Sequence, residues 1–172
     1  LYGTEGVPLT FDNRDRVGGV AFHPQGHLMV TVNSGAQSLE VVDPYAMRVI
    51  GGTLEVGQGI RGVLVDEDDN IWVDATLSRA LIRYELEGSS LVLPGDRFAL
   101  DAGLDEPLAL DVLAGKRLFY DASDQRLTAQ GYIACASCHL DGDPDGRTWD
   151  FTDQGEGLRN TPTLRGVGST GL

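Results

Sequence analysis

The chain has 172 residues, of which 41% are hydrophobic, so it is long enough to bury a core. No apolar run approaches the length needed to cross a bilayer, which argues against a transmembrane segment. The formal net charge is −13, from 26 acidic and 13 basic residues, and such a surface repels nucleic acid and favours cationic partners.

Short β-rich runs, separated by turns that contain Gly, Pro, Asn or Asp, fill the first half of the chain. Eight strands are predicted, at 20–22, 28–32, 39–43, 47–50, 62–65, 71–73, 81–86 and 90–93. Phe22 and Val65 occupy equivalent places about 43 residues apart in two successive sets of four strands. A repeat of this length with four short strands is typical of β-propeller blades.

The two segments VAFHPQGHLMVTV and GVLVDEDDNIWVDAT resemble blades of the YVTN or NHL-like propellers. Propellers close with roughly four to eight blades, so two blades leave sheet edges and an incomplete core. We therefore expect residues 1–100 to form propeller-like blades of an incomplete module. The chain is then a fragment, or further chains complete the module, or the two sheets pack as an open sandwich.

Two clusters in the β half are predicted to be turns rather than metal sites. His23 and His27 have Pro24 and Gly26 between them, so they flank a turn and do not share a helical face. The acidic run 66–69 is predicted to be a solvated turn.

A linker is predicted at 94–106, followed by a helix over 107–120. Asp105-Glu106-Pro107 is typical of a helix start. Apolar residues then recur with a helical period, and they would pack on a haem edge or on the rest of a small domain.

The stretch Cys135-Ala136-Ser137-Cys138-His139 is a C-x-x-C-H motif, which is typical of covalent haem c attachment. Each thiol adds to one vinyl group, and His139 supplies an imidazole nitrogen to the haem iron. Half of a zinc site, a thioredoxin-type redox pair and a strained disulfide are the alternatives. Zinc needs four ligands, and the only other histidines lie more than a hundred residues upstream.

The last third of the chain resembles the di-haem cytochrome c peroxidase family, including its methylamine-utilisation branch. The resemblance is carried by 115–121 (GKRLFYD), by 135–139 and by 159–166 (RNTPTLRG), in the order of that family. It implies an α+β, multi-module fold, in which a small, truncated α-helical cytochrome c domain over 101–172 follows the blades. The family carries two haems, whereas this chain has one such motif.

Three further residues are candidates around the haem. Arg159 and Arg165 are candidates to pair with haem propionates, because a planar guanidinium suits a carboxylate. A solvated arginine is the alternative for each. A carbonyl near Pro162 is a candidate acceptor for the outer ring nitrogen of His139.

A weak calcium motif follows the haem motif. Asp141, Asp143 and Asp145 form the D-x-D-x-D-G beginning of a calcium loop. Thr152 stands where that loop requires a glutamate, so an acidic turn is the alternative.

The sixth iron ligand is left open, because no Met or His follows His139. The iron would be five-coordinate, or a residue from the β half would cap it, or a continuation or another chain would supply the ligand. The β-half candidates are Met29, Met47, His23 and His27.

The sequence therefore predicts a periplasmic or otherwise exported bacterial c-type cytochrome that carries single electrons through one haem. Its partner would be a redox protein, favoured if cationic. One alternative is a peroxidase-like enzyme that reduces hydrogen peroxide at an open iron. The other is a β-propeller binding or scaffold module with an accessory haem.

Overall fold

The computed structural model describes residues 16–101, 103, 105–128, 131 and 133–169, so the first fifteen residues of the expected 1–100 module lie outside it. The β half of this part of the chain contains eight strands. They are β1 (Val17–Phe22), β2 (Met29–Asn33), β3 (Ser38–Asp43), β4 (Arg48–Thr53), β5 (Ile60–Val65), β6 (Asn70–Ala75), β7 (Ala80–Glu87) and β8 (Leu91–Ala99).

The eight strands form two four-stranded sheets, and in each sheet every strand pairs antiparallel with the next one in sequence. Such up-and-down four-stranded sheets are the blades of propellers. β1 and β5 begin 43 residues apart, so the predicted repeat length is confirmed. We call β1–β4 blade 1 and β5–β8 blade 2.

The hydrophobic core lies between the two blades. In β6, Ile71, Val73 and Ala75 are buried and alternate with the half-buried Trp72 and Asp74, as expected for a strand with one face on the core. The core is formed mainly by the branched aliphatic residues Val30, Val32, Leu39, Val41, Val56, Ile60, Ile71 and Val73.

The first strands of the two blades, β1 and β5, lie side by side at a seam that requires glycine. A Cβ atom on Gly18 would lie 2.5 Å from the carbonyl oxygen of Ile60. Between β4 and the β7–β8 turn the approach is closer still, because a Cβ on Gly51 would lie 1.8 Å from the carbonyl oxygen of Ser90. The blades therefore meet partly through backbone, which only residues without a side chain allow.

The second half of the chain does not form the expected α-helical domain. Its described residues contain two α-helices, α1 (Leu110–Phe119) and the four-residue α2 (Cys135–Cys138). Strands β9 (Thr148–Phe151) and β10 (Gly157–Asn160) then form an antiparallel hairpin. The expectation of a small helical cytochrome domain is therefore wrong. The physical reason is the D-G-D-P-D-G run at 141–146, whose residues favour turns over helix.

Two element boundaries differ from the predicted ones, the end of β8 and the start of α1. Strand β8 continues to Ala99, through residues that were predicted to be a linker. Helix α1 begins at Leu110 rather than 107, because Glu106 accepts a hydrogen bond from the Leu108 N–H and also pairs with Arg79. None of the helices in the described residues is long and apolar enough to span a membrane.

The segment after α1 docks on the end of the blades where β1 and β5 begin. The N–H of Ala122, which is fully buried, donates to the carbonyl of Gly35 in the β2–β3 turn at 2.9 Å. The guanidinium of Arg16, just before β1, lies 5.1 Å from the ring centre of Tyr120. The Tyr120 hydroxyl in turn donates to Asp141, just after the C-x-x-C-H motif, so the motif lies near this end of the blades.

Candidate functional site

The C-x-x-C-H motif forms a single closed helical turn, α2. The His139 N–H donates to the Cys135 carbonyl at 3.0 Å, and the Ser137 hydroxyl accepts from the Ala134 N–H at 2.9 Å. Both cysteines are outside any disulfide, with Cys135 exposed and Cys138 half-buried. Because residues three apart share a helical face, the two thiols lie on one side of the turn.

The imidazole of His139 is half-buried, and its Nδ1 atom is buried without a hydrogen-bond partner in the described part of the chain. A buried polar atom without a partner costs free energy, so such atoms are uncommon. Two thiols on one turn next to an uncommitted imidazole fit covalent haem attachment. The chain then turns sharply, because Asp141 and Gly142 both have positive φ, 55° and 83°.

The segment at Pro162 lies against the turn that follows the motif. The Leu164 N–H donates to the Gly142 carbonyl at 2.8 Å, and the Thr163 hydroxyl reaches the same oxygen at 3.3 Å. No hydrogen bond joins this segment to Nδ1 of His139 in the described residues. The acceptor role of a carbonyl near Pro162 stays a prediction.

The two arginines proposed for the propionates pair with carboxylates of this chain. Arg159 contacts Glu156 at 3.0 Å, and Arg165 contacts Asp143 at 2.6 Å. Both arginine side chains are more than half exposed, so these ion pairs are weak and can exchange partners. Their role toward a propionate stays a prediction.

The three carboxylates of the calcium motif contact different partners instead of converging on one point. Asp141 accepts from the Tyr120 hydroxyl at 2.6 Å, Asp143 pairs with Arg165, and Asp145 accepts from Trp149 Nε1 at 2.9 Å. The described residues contain no group of three or more His, Cys, Asp or Glu side chains that would hold a metal ion. Calcium binding stays a prediction.

Two ionisable side chains of this region, one carboxyl and one phenol, have pKa shifts that follow from those contacts. The backbone N–H of Arg147 lowers the pKa of Asp145, and the Trp149 indole adds to the effect. Burial raises the pKa of Tyr120, and its hydrogen bond to Asp141 raises it further. Both groups therefore keep their ordinary charge states near neutral pH, with Asp145 ionised and Tyr120 neutral.

The β-half candidates for the sixth ligand lie at the other end of the blades. His23 and His27 follow β1, Met29 begins β2 beside them, and Met47 is 83% exposed in the β3–β4 turn. The whole length of β1 separates this end from the motif. The described fold therefore does not bring any of these four side chains to His139.

His23 has a structural role that sequence reasoning missed. It is 3% exposed, and its Nε2 lies 2.6 Å from Oδ1 of Asp69 in the acidic turn of blade 2. Its Nδ1 accepts from the Gln25 N–H at 3.1 Å. The side chain thus joins the turns of both blades, and no spacing in the sequence signals this pair.

No protein-family model matches the chain, and no curated protein matches it. Among solved structures it is similar to the β-propeller domain of Cps50 (Swd1) from Myceliophteria thermophila, at 12% identity and a TM-score of 0.42, covering 48% of this chain and 28% of that one. A chain of a mitotic checkpoint complex is similar at 13% identity and a TM-score of 0.43, covering 48% and 26%. The chain spans less than a third of the length of these structures.

These findings correct the expected family. The residues proposed to resemble a di-haem cytochrome c peroxidase match no family model. They fold into one ten-residue helix, one four-residue helix and a hairpin, and the described chain offers no metal-binding group of three ligands. The assignment to that family is therefore wrong, and the peroxidase alternative stays a prediction. The structure does contain a pair of propeller-type blades.

Proposed function

We propose that this chain is part of a β-propeller-type binding or scaffold module that carries one covalently attached haem c. The observation that supports the haem is the α2 turn, with two thiols on one face and the uncommitted imidazole of His139 beside them. The observation that supports a binding module is the pair of blades, because the outer face of blade 2 exposes apolar side chains such as Leu64 and Phe98 in the described chain.

The residues of the turn have separate roles in this proposal. The thiols of Cys135 and Cys138 each add sulfur to one vinyl carbon and hydrogen to the other, so the attachment needs no oxidant. His139 donates an imidazole nitrogen to the metal. When bound, haem c supplies a one-electron iron couple. Since such attachment occurs outside the cytoplasm, we propose an exported, periplasmic location.

The test is mass spectrometry and a pyridine haemochrome spectrum of protein exported through a c-type haem maturation system. The wild-type chain should gain the mass of one haem and give the spectrum of two thioether bonds. The Cys135→Ala/Cys138→Ala variant should keep only the polypeptide mass. His139→Ala should retain haem but lose the normal Soret and α bands.

Control measurements test whether misfolding, and not the loss of a haem-attaching side chain, explains the effect of a substitution. Arg126→Gln, an exposed change outside the turn, should carry haem like the wild type. Far-ultraviolet circular dichroism should show the same β signal in all variants. A wild-type chain that weighs only its polypeptide after this expression would refute the haem proposal, while leaving the blades unaffected.

Single-electron transfer is the second candidate function, and the charge of the chain favours it. A net charge of −13 steers cationic partners and repels anionic ones at low salt. The haem-loaded chain should therefore be reduced faster by a cationic mediator than by an anionic one of similar potential, and added salt should narrow the difference. Equal rates at low salt would argue against a charged docking surface.

A further inference from the structure

A cavity of about 680 Å³ lies at the end of the blades beside the C-x-x-C-H turn. Its walls come from the starts of β1 and β5, from α1 and from the residues just after His139. This volume falls in the range of small-molecule sites. The cavity residues used below are Arg16, Arg61, Lys116, Tyr120 and Asp141.

The charge of this cavity is opposite to that of the molecule. Three of its lining residues, Arg16, Arg61 and Lys116, are basic, and one, Asp141, is acidic. The chain as a whole has twice as many acids as bases. An excess of positive charge inside an acidic protein attracts anions to that one place.

The basic groups are only partly neutralised by the chain. Arg16 donates from Nη2 to the Ser34 hydroxyl at 3.1 Å, whereas its Nη1 atom is buried without a partner in the described residues. Arg61 and Lys116 form no ion pair within the described part of the chain. A buried guanidinium nitrogen without an acceptor costs free energy, which an incoming anion would recover.

The positive charges of Arg16 and Arg61 both influence the Tyr120 side chain. Arg16 lies 5.1 Å from its ring centre, and the charges of both Arg16 and Arg61 oppose the rise of the Tyr120 pKa that burial and Asp141 produce. The Tyr120 hydroxyl is held by Asp141 at 2.6 Å. The acidic residue is thus already engaged, which leaves the cations facing the cavity.

We propose that this cavity is a carboxylate-binding site, in which Arg16, Arg61 and Lys116 hold the carboxylate. The carboxylate comes from one of two sources, a propionate of haem attached at the neighbouring turn or a free organic acid. The first source rests on the proposed function; the second does not. Both use the same chemistry, because guanidinium and ammonium groups pair with carboxylate in either case.

The test titrates the full chain with succinate, both without haem and after haem attachment, by calorimetry and by NMR at Arg16 and Tyr120. The haem-free chain should bind succinate, and binding should weaken as salt is raised. Arg16→Gln and Arg61→Gln should each weaken it about ten-fold or more. Arg126→Gln, which lies outside the cavity and is 82% exposed, is the matched control and should bind normally.

The two forms of the chain distinguish the sources. Succinate binding to the haem-free chain but not to the haem-loaded chain identifies the propionate as the natural occupant. Binding to both forms identifies a free acid. If the haem-free chain binds no succinate up to about 20 mM, or if Arg126→Gln weakens binding as much as Arg16→Gln, the proposal is overturned. Failure of haem attachment would leave the haem-free titration valid, so the two proposals fail separately.

Discussion

Asp66 organises the acidic turn between β5 and β6 through its carboxylate. That carboxylate accepts hydrogen bonds from the backbone N–H groups of Asp68 and Asn70, from the Asn70 amide and from Trp72 Nε1 at 2.8 Å. Burial works to raise the pKa of Asp66, but the bonds from Trp72 and Asn70 outweigh it and lower the pKa to about 2. The turn is therefore built on an ionised side chain.

The stability of the protein should depend on pH through Asp66. Because the folded-state pKa of Asp66 is depressed, its contribution is complete above the unfolded value of 3.8 and is lost as pH falls toward 2. Asp66→Asn should lower the free energy of unfolding at pH 7 by about 1 kcal/mol or more and flatten the loss between pH 4 and 2. Urea unfolding at several pH values measures both effects.

The matched control for that prediction lies two residues away. Asp68→Asn makes the same change of charge at an exposed side chain of the same turn. It should leave the stability within about 0.5 kcal/mol of the wild type at every pH. Equal effects of the two substitutions would mean that net charge, and not the hydrogen bonds of Asp66, sets the acid sensitivity.

The sequence identifies candidate site residues when they are neighbours in the chain, and fails to do so when they are far apart. The sequence singles out the two cysteines and His139 as candidates because five consecutive residues form the motif. Arg16, Arg61 and Lys116 come from three separate segments, so no spacing announces that they share a cavity. Contacts of this kind arise only when the blades and α1 pack together.

The seam between β1 and β5 gives a prediction at the level of elements. Gly18→Ala should destabilise the protein by about 1–3 kcal/mol, because the new Cβ meets the Ile60 carbonyl oxygen at 2.5 Å. Gly62→Ala in β5 is the control, since its Cβ would lie 3.9 Å from the Asp74 Cβ. Thermal unfolding should separate the two variants. Equal melting temperatures would show that the strands do not approach so closely.

In helix α1, by contrast, replacing a glycine should stabilise the protein. Gly115 lies inside this helix with open space around its Cβ position, so Gly115→Ala should raise the helix stability by about 0.5–1 kcal/mol. Gly155 also has open space, but its φ is +83°, so Gly155→Ala should destabilise the protein. Urea unfolding followed by circular dichroism measures both. A destabilising Gly115→Ala would contradict the position of Gly115 within α1.

The strands were predictable because each alternates or concentrates apolar residues between clear turn residues, and all eight were found. Strand β8 was predicted too short because Pro94-Gly95 resembles a linker. Pro94 lies opposite Tyr84 on an edge strand, where a missing N–H is tolerated. The hairpin β9–β10 was not predicted, because the resemblance to a cytochrome family implied helix there, although Thr148–Phe151 alternates as a strand does.

At the scale of the molecule, one face of blade 2 packs on blade 1 while its other face remains open. Leu64, Trp72, Leu81 and Phe98 share this open face, and the Trp72 and Phe98 rings stack with centroids 5.9 Å apart. Leu64 is 55% exposed. A contiguous apolar face of this kind is expected to be covered by another protein surface, such as a further blade.

We therefore expect the chain to self-associate as its concentration rises. Sedimentation velocity should show larger species for the wild type, and Leu64→Ser should shift the distribution toward monomer. Tyr45→Ser changes an 83% exposed aromatic residue in a turn of blade 1 and serves as the control. A monomer at all concentrations, or equal effects of both substitutions, would contradict the expectation that this face binds another protein surface.

The glycine seam also bears on how the repeats can diverge. Where neighbouring blades contact each other through the main chain, most residues can be substituted, provided that Gly18 and Gly51 still allow the close backbone approach. Two copies of such a unit can lose nearly all shared identity while conserving their length of 43 residues and the positions of their bends. The two blades are therefore recognised as equivalent by the spacing of their strands more than by shared residues.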